Sequence, residues 1–166
     1  MRFFIAAIAA CALAGCAGES ELQPLPAIYV SLAQKNSAAD VGAMRDLINE
    51  YRRSRGLEPL TVDPQLNQVA LDQALAMAAV DKTGHNVGKG DLGHRLRNAG
   101  VIRQRRGENI SAGYHTVAEA FSGWRESPKH DAIMLKPEIR RMGLGTAYVP
   151  NSKYKVFWSL IVTTEN

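Results

Sequence analysis

A chain of 166 residues has room for one domain plus processing and linker segments. A body of about 150 residues buries roughly two-thirds of its unfolded surface, so it needs no disulfide for stability. Hydrophobic residues at 46%, charged residues at 22% and a net charge of +4 fit a soluble fold. Arg103, Arg105 and Arg106 form a short basic run without interleaved aromatics, a solvated loop that gives no ground for a nucleic-acid partner.

Met1-Arg2 supplies a positive charge, Phe3 to Leu13 is almost wholly apolar, and Ala14-Gly15 are small. That is the pattern of a signal peptide, and the apolar run is too short to span a bilayer comfortably. Leu13-Ala14-Gly15-Cys16 also resembles a bacterial lipobox, with cleavage before Cys16 and lipid attached to it. The alternative is an ordinary signal peptide cut near Ala14 or Ala17. Residues 1–15 are thus expected to be a lipoprotein signal peptide. The membrane is then a partner through lipid on Cys16, and more than one acyl chain makes a stable anchor. Ala17-Gly18 puts no aspartate after that cysteine, which resembles outer-membrane sorting in double-membrane bacteria. The expected location is the cell envelope, on the periplasmic face of the outer membrane. Cys11 and Cys16 are the chain's two cysteines, so the body holds no disulfide framework. Residues 16–38, with Pro24 and Pro26, read as a tether, and residues 39–166 as the folded domain.

Asp40 is placed to cap a helix whose apolar positions Val41, Met44, Ile48 and Tyr51 recur at three and four residues, with Gly56 as its stop. Asp63-Pro64 opens a second helix, running to about Asp81, with an apolar surface wide enough for a central packed helix. Lys82 to Asp91 is a polar, Gly-rich loop carrying His85. Leu92 to Asn98 forms a short helix closed by Gly100. Gly107-Glu108-Asn109-Ile110 reads as a turn leading into a strand. Thr116 and Glu119 make a capping box for a helix with Phe121 and Trp124 facing inward. Ser127-Pro128 caps the next helix, in which His130 is the third residue. There the positive helix end disfavours protonation and leaves a neutral imidazole. Met142–Val149 and Tyr154–Thr163 are β-rich runs joined by a turn, an antiparallel hairpin. Helices first and strands last, with no βαβ alternation, argue an α+β fold.

From Val41 to Val162 an ordered set of matches resembles the CAP superfamily, the cysteine-rich secretory, antigen 5 and pathogenesis-related proteins, most closely its short bacterial branch. The set is Ile48-Asn49 with Arg52, Leu57 to Leu60 with Asp63 and Leu66, Ala70, His85, and Gly107-Glu108-Asn109-Ile110. It continues through Gly113, Trp124, Ser127-Pro128, His130 and Gly143-Leu144-Gly145. The resemblance implies a three-layer α-β-α sandwich with a small antiparallel sheet and a concave cleft. Two histidines and two glutamates line that cleft in eukaryotic members, in some cases around a divalent metal. His85, Glu108 and His130 match three of the four; the second glutamate falls on Ser127.

The expected ligand cleft therefore comprises His85, Glu108, Asn109, Ser127 and His130. Glu108 and His130 are the candidates for any catalysis, and His85 and His130 for a metal. Glu119 is better explained by its capping box, and Ser127 by a cap that occupies its hydroxyl. His94 ranks below His85, and His115 reads as solvated. Two functions follow as expectations. The first is an envelope-tethered domain binding a lipid, cell-wall or protein ligand. The second is a metal-assisted hydrolase in which His85, Glu108 and His130 hold zinc with one position open for water. No His-Glu-x-x-His helix supports the second, and a purely mechanical spacer would not require the cleft residues.

Overall fold

The computed structural model describes residues 24–103 and 105–165; the expected signal peptide and Cys16 lie outside the described residues. Helix α1 spans Val41–Arg53, β1 Thr61–Val62, α2 Pro64–Ala79, α3 Leu92–Asn98 and β2 Arg106–Ala112. Then come α4 (Val117–Glu126), α5 (Pro128–Met134), β3 (Arg141–Tyr148) and β4 (Val156–Thr163). The helix starts follow their capping chemistry. Asp40 accepts from Ala43 N, Asp63 from Gln65 N and Leu66 N, and Asp91 from His94 N. Thr116 and Glu119 close both halves of the capping box.

The four strands form one sheet in the order β1-β3-β4-β2. β4 pairs antiparallel with both β3 and β2, which makes it one of the two inner strands, and every one of its residues is buried. The expected antiparallel sheet gains one parallel element. Thr61 and Val62 pair with Arg141 and Met142, because Asn49 bonds both the N–H and the C=O of Leu60 and presents the next two residues to the sheet edge.

Alternation along β4 divides the core. Trp158, Leu160 and Val162 face Met44, Ile48, Phe121, Trp124 and Met134 from α1, α4 and α5. Phe157 and Ile161 face α2, where Ile161 joins a cluster with Leu66 and Leu96 and Phe157 one with Met77. Helices therefore cover both faces, α2 and α3 on one and α1, α4 and α5 on the other, giving the three-layer α-β-α sandwich. Within the expected tether, Leu32 is 4% exposed, belongs to the large core cluster, and donates its N–H to His115 O at 2.7 Å. The packed body thus starts near Ile28, and the apolar clusters close among residues 28–162.

Gly107 and Glu108 belong to β2 rather than to a turn. Their local sequence is poor in β-branched residues, but the pairing Gly107↔Val162, Glu108↔Ile161 and Asn109↔Leu160 overrides it. Gly107 is needed because a Cβ there would press on the Ile133 side chain of α5.

Candidate functional site

β2 is an edge strand, and its alternation throws Glu108 and Asn109 to opposite faces of the sheet. Glu108 points to the α2–α3 side, where its side chain is 2% exposed. Arg95 of α3, 3% exposed, meets it as a fork: Nη1 donates to Oε1 at 2.9 Å and Nη2 to Oε2 at 3.0 Å. The same guanidinium donates to Gly90 O and His85 O, both at 3.1 Å, so it also holds the 82–91 loop. His85 Nδ1 lies 2.8 Å from Glu108 Oε2, and Ser159 Oγ of β4 donates to Oε1 at 3.3 Å. A carboxylate forked by a guanidinium is an acceptor, so Nδ1 of His85 carries the hydrogen, and in the neutral ring Nε2 is the acceptor. The His85 side chain is 58% exposed.

Asn109 serves the other face. Its Nδ2 donates to the backbone carbonyl of His130 at 3.0 Å, which fastens the first turn of α5 to the edge strand. The residue fixes a helix rather than the expected turn. His130 is half-buried, and its imidazole is held below the ordinary histidine pKa by burial first and by the charge of His85 second. Ser127 occupies the N-cap position of α5, yet its side chain makes no capping hydrogen bond. The hydroxyl is therefore not consumed by a cap as expected.

The structure joins His85 to Glu108 on the α2–α3 face of β2, while Asn109, turned to the other face, holds the first turn of α5 with His130, and Ser127 stands at the start of that helix. His94 lies apart, exposed, with Nδ1 on Lys89 O at 2.8 Å. Glu119 accepts from His115 N and Thr116 N, as a cap. Two members of the site, Arg95 and Ser159, escaped sequence reasoning. Arg95 had left a trace, since it falls on the apolar stripe of α3 beside Leu92, Leu96 and Ala99, where a charge requires a buried partner.

These residues do not fit zinc as arranged. Both oxygens of Glu108 are taken by Arg95, and a cation on that carboxylate would sit against a guanidinium. Among the described residues no group of three or more His, Cys, Asp or Glu side chains is placed to hold a metal ion. The same described residues contain no helix long and apolar enough to cross a membrane.

Residues 45–162 match the profile of the cysteine-rich secretory protein (CAP) family. The uncharacterized protein YkwD of Bacillus subtilis (strain 168) is 28% identical over 101 residues, 60% of this chain and 39% of its own length. The uncharacterized membrane protein YlbC of the same organism is 32% identical over 101 residues, 60% of this chain and 29% of its length. The chain therefore spans well under half the length of these relatives. Among solved structures, an extracellular protein containing an SCP domain from Bacillus anthracis strain Ames is 27% identical with a TM-score of 0.66, over 75% of this chain and 40% of that one. An outer surface protein of Borrelia burgdorferi shares the fold, with a TM-score of 0.66 at 17% identity over 75% of this chain and 92% of that one. With its profile match covering most of the chain, the protein belongs to the CAP family of cysteine-rich secretory proteins.

Proposed function

We propose that this protein is an exported, envelope-anchored CAP domain that binds an organic ligand at the cleft formed by His85, Glu108 and His130. The ligand is a lipid, a cell-wall fragment or a protein segment. The observation that carries this reading is the engagement of Glu108. With Arg95 neutralising the carboxylate and His85 hydrogen-bonded to it, the cleft offers oriented imidazoles rather than a free acid. In the neutral His85 ring Nε2 accepts, the Nδ1–H being spent on Glu108. His130, kept neutral, contributes one donor and one acceptor. Ser127, three residues before His130, adds a hydroxyl. Such a set suits hydroxyl and amide groups. Export is supported by the extracellular SCP-domain protein of B. anthracis and by the apolar N-terminal run ending in Cys16.

The test uses the body from Ala17 to Asn166, whose core closes without the preceding residues. Soluble muropeptides and a short-chain phospholipid are each titrated against the isotope-labelled protein. The expected result is saturable shifts at His85 and His130 with one of these probes, abolished in the His85→Ala/His130→Ala double variant. Zinc titrated by calorimetry is expected to give no heat at neutral pH; micromolar zinc binding lost in that variant would sink the organic-ligand reading. Anchoring has its own readout, incorporation of labelled palmitate into the full chain and its loss in Cys16→Ser.

A further inference from the structure

The sheet register gathers positive charge at one end of the molecule. β2 and β3 begin where β4 finishes, since Arg106 and Arg141 both pair with Thr163. Arg140 lies there too, its N–H on Thr163 O at 2.8 Å, as does Lys136, whose Nζ donates to Arg106 O at 3.2 Å. Helix α3 brings Arg97 to the same end. Arg97, Arg103 and Arg106 line a shallow cavity of about 180 Å³ with Leu96, Val101 and Ile102, and Arg105 stands exposed beside it. The acids facing these groups are Asp63, 3.7 Å from Arg103, Glu165 on Arg141, Asp91 near Arg97 and Arg106, and Glu138. Among the described residues the bases of this end outnumber its acids.

The cavity also carries an aliphatic side chain with nowhere to go. Val101 is 2% exposed and sits in the α2–α3 cluster, whereas Ile102 beside it is 81% exposed, more than any other large exposed hydrophobic among the described residues. Val101 pegs the loop to the core, and Ile102 is presented outward between arginines.

We propose that this end is a docking surface for an anionic phospholipid bilayer. Ile102 enters the boundary between headgroups and acyl chains, and Arg97, Arg105 and Arg106 rest among the phosphates. An apolar tip ringed by cations is the chemistry of interfacial binding to acidic lipid. A nucleic acid would supply the phosphates but no apolar layer for Ile102, and its bases stack on aromatics, which this cavity lacks. Its residues are other than those of the cleft, and the proposal does not depend on the ligand bound there.

The experiment is co-sedimentation of residues 17–166 with phosphatidylglycerol–phosphatidylcholine vesicles and with pure phosphatidylcholine vesicles. Binding is expected on the anionic vesicles alone and is expected to weaken as salt rises. Each exposed charge removed is expected to weaken it about fivefold, so Arg97→Gln/Arg105→Gln should bind about 25-fold less tightly. Ile102→Ser should lose about tenfold. These side chains are exposed, and circular dichroism checks that the variants fold. The His85→Ala/His130→Ala variant should sediment as the parent does, which separates this result from failure of the cleft reading. Equal sedimentation with the two vesicle types overturns the proposal. So does anionic binding that Ile102→Ser leaves unchanged and a single-stranded oligonucleotide abolishes, because the surface is then a general polyanion site.

Discussion

His130 experiences two influences acting in one direction. Burial removes water from the imidazolium, and positive charge at His85 opposes it, so both favour the neutral ring. The unfolded chain titrates this histidine near the reference value of about 6.5. Folded His130 takes its proton at lower pH, so its preference for the neutral ring contributes full stability above about pH 6.5. That contribution declines as pH falls from the unfolded toward the folded pKa, because the unfolded chain binds the proton first. An NMR titration should therefore place the His130 midpoint below 6.5. In His85→Gln the midpoint should rise yet stay below 6.5, since burial is the larger cause; a parent midpoint at or above 6.5 would contradict the account. Arg95 and Glu108 make the other prediction at this scale. Arg95→Ala strands a buried carboxylate and should cost about 3 kcal/mol in urea unfolding. Arg95→Met/Glu108→Leu should cost less than that single change, because no charge is left unpaired. A near-neutral Arg95→Ala would show that water reaches Glu108.

At the scale of elements, close approach explains the two glycines of β3. A Cβ on Gly143 would overlap the α2 backbone at Leu66 and Asn67, and one on Gly145 the backbone at Ala70 and Leu71. Asn67 Oδ1 accepts from Leu144 N at 2.9 Å across the same contact, so helix and strand touch main chain to main chain. Gly145→Ala should destabilise the body by about 3 kcal/mol, read as a lowered melting temperature, since neither backbone can retreat. Much of this architecture was legible beforehand. Asp40, Asp63 and Thr116 announced their helices because a cap is local chemistry that a sequence displays directly. β2 was harder to read. Gly107-Glu108-Asn109 has turn-like composition, and its strand conformation comes from β4, some fifty residues away. Of the candidate site, the family match named His85, Glu108 and His130, while Arg95 left only the trace of a charge on an apolar stripe and Ser159 left none. Those two enter through packing of α3 and β4 against a carboxylate whose direction only the pairing of β2 decides.

On the scale of the whole molecule, Arg52 joins parts that sequence keeps far apart. It is fully buried, and its guanidinium donates to the carbonyls of Glu58, Met134, Lys136 and Ile139. Helix α1 thereby grips the segment that turns from α5 into β3, and α5 carries His130. Burial lowers the Arg52 pKa and Arg140 adds to this, while Glu138 opposes it. Arg52→Met should cost about 3 kcal/mol, because several buried carbonyls lose their donor at once; equilibrium unfolding by urea measures it. A loss under about 1 kcal/mol would mean that water enters and replaces the side chain.

The docking of Leu32 against the core has a spatial consequence. Under the lipid attachment proposed for Cys16, the leash is the stretch between that residue and Ile28, where the packed body begins. About a dozen residues at no more than ~3.5 Å each reach roughly 40 Å. A domain anchored in that way would be confined to a thin shell above its membrane, within which its effective concentration toward partners on that surface is high and beyond which it does not forage.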